Sequence, residues 1–295
     1  MIAFIGLGNM GLPMAVNLVR AGNEVVGFDV TPEALERAEA QGVKATSALE
    51  EAVSGAEVVI TMLPSGKHLV SVYEQILGPV AEGALLIDCS TVDVASSRKG
   101  HEMGAAKGLA TVDAPVSGGV SGAAAGTLTF MAGGGAAAIE RARPLLEVMG
   151  SRVVVCGNPG AGQAAKACNN MVLGIAMIAT GEAFVLAERL GLSHQALFDV
   201  LSTSSGQSWA LTNHCPVPGP VPTSAANNDY KPGFAAALML KDLGLARDAA
   251  ASVGADIRLG QAAAKLYEEF VANDPKGLDY SAVIDLVRQH SEARS

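Results

Sequence analysis

The chain is poor in cysteine, poor in charge and has no excess of basic residues. It holds 4 cysteines in 295 residues. Cys89, Cys156, Cys168 and Cys215 never fall into a C-x-x-C spacing. That excludes a zinc knuckle or a thioredoxin-like pair and fits reduced thiols in a cytosolic protein. Charged residues make up 17% against 49% hydrophobic, a composition that folds. Basic side chains number 20 against 29 acidic, for a net charge of −9. Residues 1–162 carry 10 basic and 16 acidic side chains, and residues 163–295 carry 10 and 13. Neither half has the basic footprint of a nucleic-acid binder. An anionic substrate has to be gripped by local groups, against the overall field.

Long apolar runs are also missing. Met1 to Val19 is apolar but has no basic flank, and three glycines interrupt it, so it does not read as a signal peptide. Met171 to Gly181 meets Glu182, short of the ~20 residues of a membrane span. The expectation is a soluble, cytoplasmic protein with no membrane or nucleic-acid partner. His68, His101, His194, His214 and His290 show no metal-ligand spacing. They read mostly as surface residues, and no metal is expected.

What is present is a pattern. Ile2–Ile5, Glu24–Phe28, Val58–Met62, Leu85–Cys89, Leu109–Asp113, Thr127–Ala132 and Arg152–Val155 read as strands. Several are continuous apolar runs, as parallel strands buried on both faces require. Helical patterns alternate with them. Thr31-Pro32-Glu33 has an N-cap, a proline at N1 and an early acid. Ser47 to Glu50 has capping-box spacing. Near Gly162 the pattern changes. No proline occurs from there to Arg189, which predicts one helix roughly 40 Å long at 1.5 Å per residue. Helical patterns follow at Gln195–Ser202, Phe234–Val253, Gly260–Ala272 and Ser281–Gln289. The expected architecture is α/β: a Rossmann-type doubly wound parallel sheet over 1–161, then an all-helical domain over 162–295 entered by the long helix.

Gly6-Leu7-Gly8-Asn9-Met10-Gly11 follows the first strand and opens a helix. In that setting G-x-G-x-x-G is a dinucleotide fingerprint. Gly6 allows the turn, Gly8 lets a pyrophosphate approach the helix N-terminus, and Gly11 lets helix and strand lie close. Asp29 ends the second strand. Its carboxylate suits ribose hydroxyls and repels a 2′-phosphate, so NAD is expected over NADP.

Three more loops end strands: Met62 to Ser65, Asp88 to Thr91, and Asp113-Ala114-Pro115-Val116-Ser117-Gly118-Gly119. Ligands of open parallel sheets sit at that edge. A hydroxyl beside the backbone N–H groups of Ser117, Gly118 and Gly119 suits a carboxylate. At the start of the long helix, Lys166 and Asn170 share a face at i, i+4. A lysine there gains nothing from the helix dipole. The helix N-terminus and desolvation both favour its neutral form, which is what a general base needs. A solvated surface lysine is an equally available reading of this local chemistry. Glu182 and Glu188 read as solvated or structural, and Trp209 as more a core anchor than a pocket wall.

Together these motifs resemble the β-hydroxyacid dehydrogenases, essentially end to end. The resemblance rests on Phe4 to Gly11, Asp113 to Gly119, the Gly162-x-x-x-Lys166-x-x-x-Asn170 element and Lys241-Asp242-Leu243-Gly244-Leu245-Ala246. Ser204-Ser205-Gly206 with Trp209, and Pro216 to Gly219, are similar to the hydroxyisobutyrate branch. The resemblance implies that Lys166 is the catalytic lysine and that Asn170 orients the substrate or that lysine. It implies that Ser117, Gly118 and Gly119 hold the substrate carboxylate and that Asp242 helps to close the site. Leu63, Pro64, His68, Thr91 and Lys241 would contact NAD. The implied reaction is oxidation of (S)-3-hydroxyisobutyrate to methylmalonate semialdehyde in valine breakdown, by a homodimer or homotetramer. L-Serine, tartronate semialdehyde or another short 3-hydroxy acid remain alternatives, because one methyl is worth only ~1–3 kcal/mol of discrimination. A non-catalytic nucleotide-binding scaffold is the reading outside the enzyme class.

Overall fold

The structure, a computed structural model, describes residues 1–274 and 276–293. The chain divides into two compact units, Met1–Lys166 and the residues from Ala167 on. Positions 275, 294 and 295 of the expected second domain lie outside the described residues.

The first unit alternates strands and helices. In chain order it runs β1 (Ile2–Ile5), α1 (Gly11–Arg20), β2 (Val25–Phe28), α2 (Pro32–Glu39), β3 (Lys44–Thr46), α3 (Leu49–Val53), β4 (Val58–Thr61) and α4 (Gly66–Ile76). It continues β5 (Leu85–Asp88), α5 (Val94–Ala106), β6 (Ala110–Asp113), β7 (Val116–Ser117), α6 (Gly119–Ala125), β8 (Leu128–Gly134), α7 (Ala136–Met149) and β9 (Gly150–Gly157). The sheet order is β3-β2-β1-β4-β5-β6-β8-β7, with β9 also on β8. The strand sequence explains the two-sided burial. Ile2, Phe4, Ile60, Leu85 and Ile87 enter one core, while Ala3, Ile5, Val59 and Leu86 enter the other. Neighbours along a strand face opposite sides, so a strand covered on both sides is apolar throughout. A fully buried ring such as Phe4 is worth about 3–5 kcal/mol against alanine.

The sheet is not wholly parallel, which corrects the expectation. β8 runs antiparallel to β6 and β7. The connection through the seven-residue α6 is too short for a parallel crossover. β3 and β7 were not foreseen, being three and two residues long. The capping box is also corrected. The N-cap of α3 is Ala48, without a side-chain cap, and Thr46 takes the Ala48 N–H at 3.1 Å while donating to Glu51 at 2.8 Å. Thr31 stands at the N-cap of α2 with Pro32 at N1, but its hydroxyl makes no cap bond.

The 29-residue α8 (Ala161–Arg189) begins in the first unit and continues into the second. By length and composition alone it is apolar enough to cross a membrane, with a window of mean hydropathy 1.7 that is half buried. The sequence expectation that Glu182 cuts the apolar run short is therefore corrected; one acid does not lower the mean of so long a window.

The second unit adds α9 (His194–Thr203), α10 (Trp209–His214), α11 (Ala236–Val253), α12 (Arg258–Ala272) and α13 (Val283–Glu292). Its core gathers Met177, Met239, Leu243, Tyr267 and Tyr280. Among the described residues it has no strand, only one isolated bridge between Ala235 and Asp279. Asp279 ties this unit together. It accepts from His214, from Ser281 and from the N–H groups of Gly233 and Phe234, at 2.7 to 3.1 Å. Those contacts fix the chain just ahead of α11. Trp209 corrects the core reading: it is 57% exposed and stacks on His214 at 6.1 Å. The surface reading of the histidines is also corrected. His101 is buried on Asp113 at 2.8 Å, and His194 pairs with Glu188, which Arg288 holds as well.

Candidate active site

Five parallel strands bring the expected loops to one edge. Ile5 is level with Phe28 and Thr61, Thr61 with Asp88, and Asp88 with Asp113. The glycine-rich turn, Leu63 and Pro64, Thr91 and the Ser117 loop therefore all leave the carboxyl edge, the ligand edge of such sheets. β1 lies between β2 and β4, so the glycine-rich turn stands where the strand order reverses.

The turn fits a dinucleotide. Gly6 has φ +98°, and a Cβ there would lie 2.3 Å from the Met62 carbonyl. A Cβ on Gly11 would lie 1.9 Å from the Gly6 carbonyl. Gly8 by contrast faces open space, with nothing within 4 Å. Two glycines are thus demanded by backbone contact, and the third leaves room for a ligand. The N-cap Met10 offers no side-chain cap to α1, and no acid stands in its first turn. Open N–H groups at a helix start suit a pyrophosphate. Asp29 accepts from Leu7 N–H at 2.8 Å and Thr31 N–H at 2.9 Å. It therefore also braces the turn, and its oxygens keep further lone pairs for ribose hydroxyls.

Ser117 ends β7, followed by Gly118 at φ +138° and Gly119 at φ +63°. Only glycine takes such a pair without strain. Behind this loop lies a hydrogen-bond frame. Asp113, which ends β6, accepts from Gly160 N–H at 2.9 Å, Gln163 N–H at 3.1 Å and His101 at 2.8 Å. Its carboxylate thereby caps the start of α8. Lys166, one turn further on, is only 8% exposed, so the solvated surface reading does not hold. Neighbouring Asp88 is held differently. Burial pushes its carboxyl up to about 6, against the lowering bonds from Ser90 and Thr61, and the Asp113 charge adds to the rise. Burial also pushes the Cys89 thiol up, so it is a packing group and not a nucleophile.

In the second unit Asn170 is buried and donates to Asp242 Oδ2. Asn169 donates to Asn170 Oδ1 at 3.0 Å. Lys241 lies 3.5 Å from Asp242 Oδ1, an ion-pair distance longer than a hydrogen bond. His68 is exposed and meets Ser65 at 2.8 Å. The parts played by Asp113, His101, Gln163 and Ser90 in this frame were not read from the sequence. A glutamine among alanines in an apolar first turn was the one available signal.

Comparison with known proteins gives the same direction. Residues 1–157 match the family described as the NAD binding domain of 6-phosphogluconate dehydrogenase. Residues 160–287 match the NAD-binding domain of NADP-dependent 3-hydroxyisobutyrate dehydrogenase. A probable 3-hydroxyisobutyrate dehydrogenase of Mycobacterium tuberculosis is 54% identical over 99% of both chains. An NAD-dependent L-serine dehydrogenase of Pseudomonas aeruginosa is 45% identical over 96% of both. A solved structure of Mycobacterium tuberculosis 3-hydroxyisobutyrate dehydrogenase with L-serine superposes at TM-score 0.94 with 55% identity, over 97% of this chain and 98% of that one. The chain is an NAD-binding oxidoreductase and belongs to the β-hydroxyacid dehydrogenase family.

Proposed function

We propose that the protein oxidises (S)-3-hydroxyisobutyrate to methylmalonate semialdehyde, with Lys166 as the acid–base group. The observation that carries this is the buried Lys166 on a helix whose first turn is capped by Asp113. That acid opens the Asp113-to-Gly119 loop, so the lysine and the carboxylate cradle hang from one strand end. Ser117 and the N–H groups of Gly118 and Gly119 would hold the substrate carboxylate. Bound NAD supplies the acceptor for the hydride of the carbinol carbon. Gly6 to Gly11, Asp29, Leu63, Pro64, His68, Thr91 and Lys241 are the residues that would hold it. Lys166 takes the hydroxyl proton, the step of a general base. Asn170, its amide fixed by Asp242, orients the substrate or the lysine. In reverse, the ammonium of Lys166 returns the proton.

L-Serine is the second reading, favoured by the serine dehydrogenase relative and by the L-serine in the related structure. The cradle and Lys166 serve either acid. Valine breakdown in the cytoplasm, without membrane or nucleic-acid partners, is the setting this reading implies. A homodimer or homotetramer built on the helical unit fits its exposed Val172, Leu186, Leu190 and Val253, and light scattering on the purified protein tests that.

The deciding experiment is steady-state reduction of NAD and NADP with racemic 3-hydroxyisobutyrate, L-serine and glycerate in turn. Highest efficiency with 3-hydroxyisobutyrate and NAD supports the full reading. Higher efficiency with L-serine or glycerate replaces the substrate and keeps the chemistry. Lys166→Ala is expected to lower turnover ~10²–10⁴-fold; near-normal turnover in a well-folded variant sinks the acid–base assignment.

A further inference from the structure

Gln163 stands three residues before Lys166 and is 1% exposed. Both ends of its amide are used, and both reach far along the chain. Oε1 accepts from Val92 N–H at 3.1 Å, and Nε2 donates to the Ser90 carbonyl at 2.7 Å. Its own N–H is on Asp113 Oδ2. Ser90 passes the connection on: its hydroxyl accepts from Leu63 N–H at 2.7 Å. The loops after β4 and β5, the end of β6 and the first turn of α8 thus form one hydrogen-bonded frame. Those two loops carry Leu63, Pro64 and Thr91 of the proposed cofactor edge, and Thr91 lies between the two residues that the amide holds.

The close approach of α8 makes this frame tight. A Cβ on Gly162 would lie 2.1 Å from the Met131 carbonyl and 2.8 Å from the Asp113 carbonyl. The helix start is pressed against the strand ends, where a sideways shift meets backbone. A helix N-terminus needs only a local Ser, Thr, Asp or Asn to cap it. Here the cap comes from Asp113, 47 and 50 residues away in sequence. Such long-range ties fix where the helix lies against the sheet edge, which a local cap cannot do.

We propose that Gln163 is a positioning residue, whose amide clamps the loop after β5 to α8 and so keeps Lys166 in register with the cofactor edge. This rests on the acid–base role of Lys166 proposed above. A displacement of about 1 Å at a reacting group costs on the order of 10²-fold, so the clamp is expected to act on turnover more than on folding.

The test uses Gln163→Met, which keeps the length and loses both bonds, and Gln163→Glu. With the better substrate of the assay above, Gln163→Met should lower kcat by roughly 10–100-fold, with a smaller rise in KM for NAD. With substrate deuterated at its carbinol carbon, the isotope effect on kcat should rise as the hydride step becomes limiting. Gln163→Glu adds a pH signature. Its protonated carboxyl can donate to Ser90 and accept from Val92, whereas the ionised form can only accept. Its kcat relative to the parent enzyme should therefore climb as pH falls from about 9 to about 6, the range of a buried carboxyl. Asp88, Cys89, Asp113, His101 and Lys166 are common to both proteins, so the ratio removes the pH dependence the two share and leaves that of the introduced carboxyl and its coupling to them.

A lower thermal midpoint with unchanged kcat and isotope effect in Gln163→Met makes the amide merely structural and overturns the proposal. A ratio flat with pH overturns it as well, and that arm stands if Gln163→Met does not fold. Lys166→Ala, run alongside, separates the two ideas. If it turns over normally, the acid–base reading falls and takes the clamp's role with it. If it is inactive while Gln163→Met is not impaired, only the clamp falls.

Discussion

Asp88 in the sheet unit and Asp279 in the helical unit are both buried aspartates, yet they are held in opposite ways. Asp279 has both oxygens occupied, by His214, Ser281, Gly233 and Phe234. Burial pushes its carboxyl up, but the bond from His214, the charge of that ring and the Phe234 and Ser281 N–H groups outweigh it, and the carboxyl ends below the ordinary value. Asp88 has Oδ1 bonded to Thr61 and Ser90, while Oδ2 has no partner. Tyr73, Ser97 and Thr111 near it also carry hydroxyls without partners, and the enclosed space these residues line is too small for a water molecule. The contrast teaches that burial alone does not set a carboxylate's cost; the number of donors does. One acid holds the entry to α11 in place, and the other is tolerated at the edge where the cofactor loops begin.

Removing the well-bonded member should have the larger effect. Asp279→Ala leaves His214 and several N–H groups without an acceptor, for a loss of about 3–5 kcal/mol, the scale for stripping one partner from a buried pair. Trp209 is the only tryptophan and stacks on His214, so its fluorescence follows this region through a denaturant titration. A midpoint within error of the parent protein would show that the network is ornamental. The pH dependence has a definite sign. A carboxyl lowered on folding lends stability above its unfolded value near 3.8 and loses it as pH falls through the lower folded value. Asp279→Ala should therefore lose its disadvantage in acid below about pH 4.

The two aspartates also mark how far sequence reaches. The glycine-rich turn with its strand and helix, and the long helix that carries Lys166, were legible because each is a local pattern of residue types. The main strands were legible because burial on both faces makes them apolar throughout. The antiparallel return of β8 was not, since connection length across a two-residue strand leaves no periodic trace. Nor was the frame of Asp113, His101, Gln163 and Ser90, whose bonds span 12 to 73 residues. His101 looked like a surface residue because nothing near it in the chain names its partner. Trp209 misled in the other direction: size suggested core, and the structure uses its face against His214 instead.

Asp88→Asn should sharpen the comparison by reversing its sign. The folded carboxyl is raised to about 6 from an ordinary 3.8, so the native state holds its proton more tightly than the unfolded chain. That group's contribution is fully present below about pH 4 and is lost as pH rises through about 6. The amide cannot ionise, so the variant should gain on the parent across that interval and level off above it. Two pH units correspond to about 3 kcal/mol as an upper scale. Denaturation midpoints at several pH values measure the difference. A constant offset would mean that Asp88 ionises in the fold as easily as outside it.

The smallest effect is expected at Thr111, and it tests the orphaned hydroxyls directly. Its Oγ1 has no partner and lies where a Cβ on Gly104 would meet it at 2.3 Å, so the site is crowded as well as dry. Thr111→Val replaces that hydroxyl by a methyl of similar size within β6, where a β-branched residue fits. Burying an unmet hydroxyl costs more than burying a methyl, and the variant should be stabilised by up to about 1 kcal/mol. Because Asp88 ionises in the same pocket, the gain should persist in an Asp88→Asn background if the two act separately, and shrink if the Thr111 hydroxyl helps the ionised carboxylate. A double-mutant cycle reads this coupling. Destabilisation by Thr111→Val alone would show that its hydroxyl has a partner in solution, and the contrast with Asp279 would then rest on Asp88 Oδ2 alone.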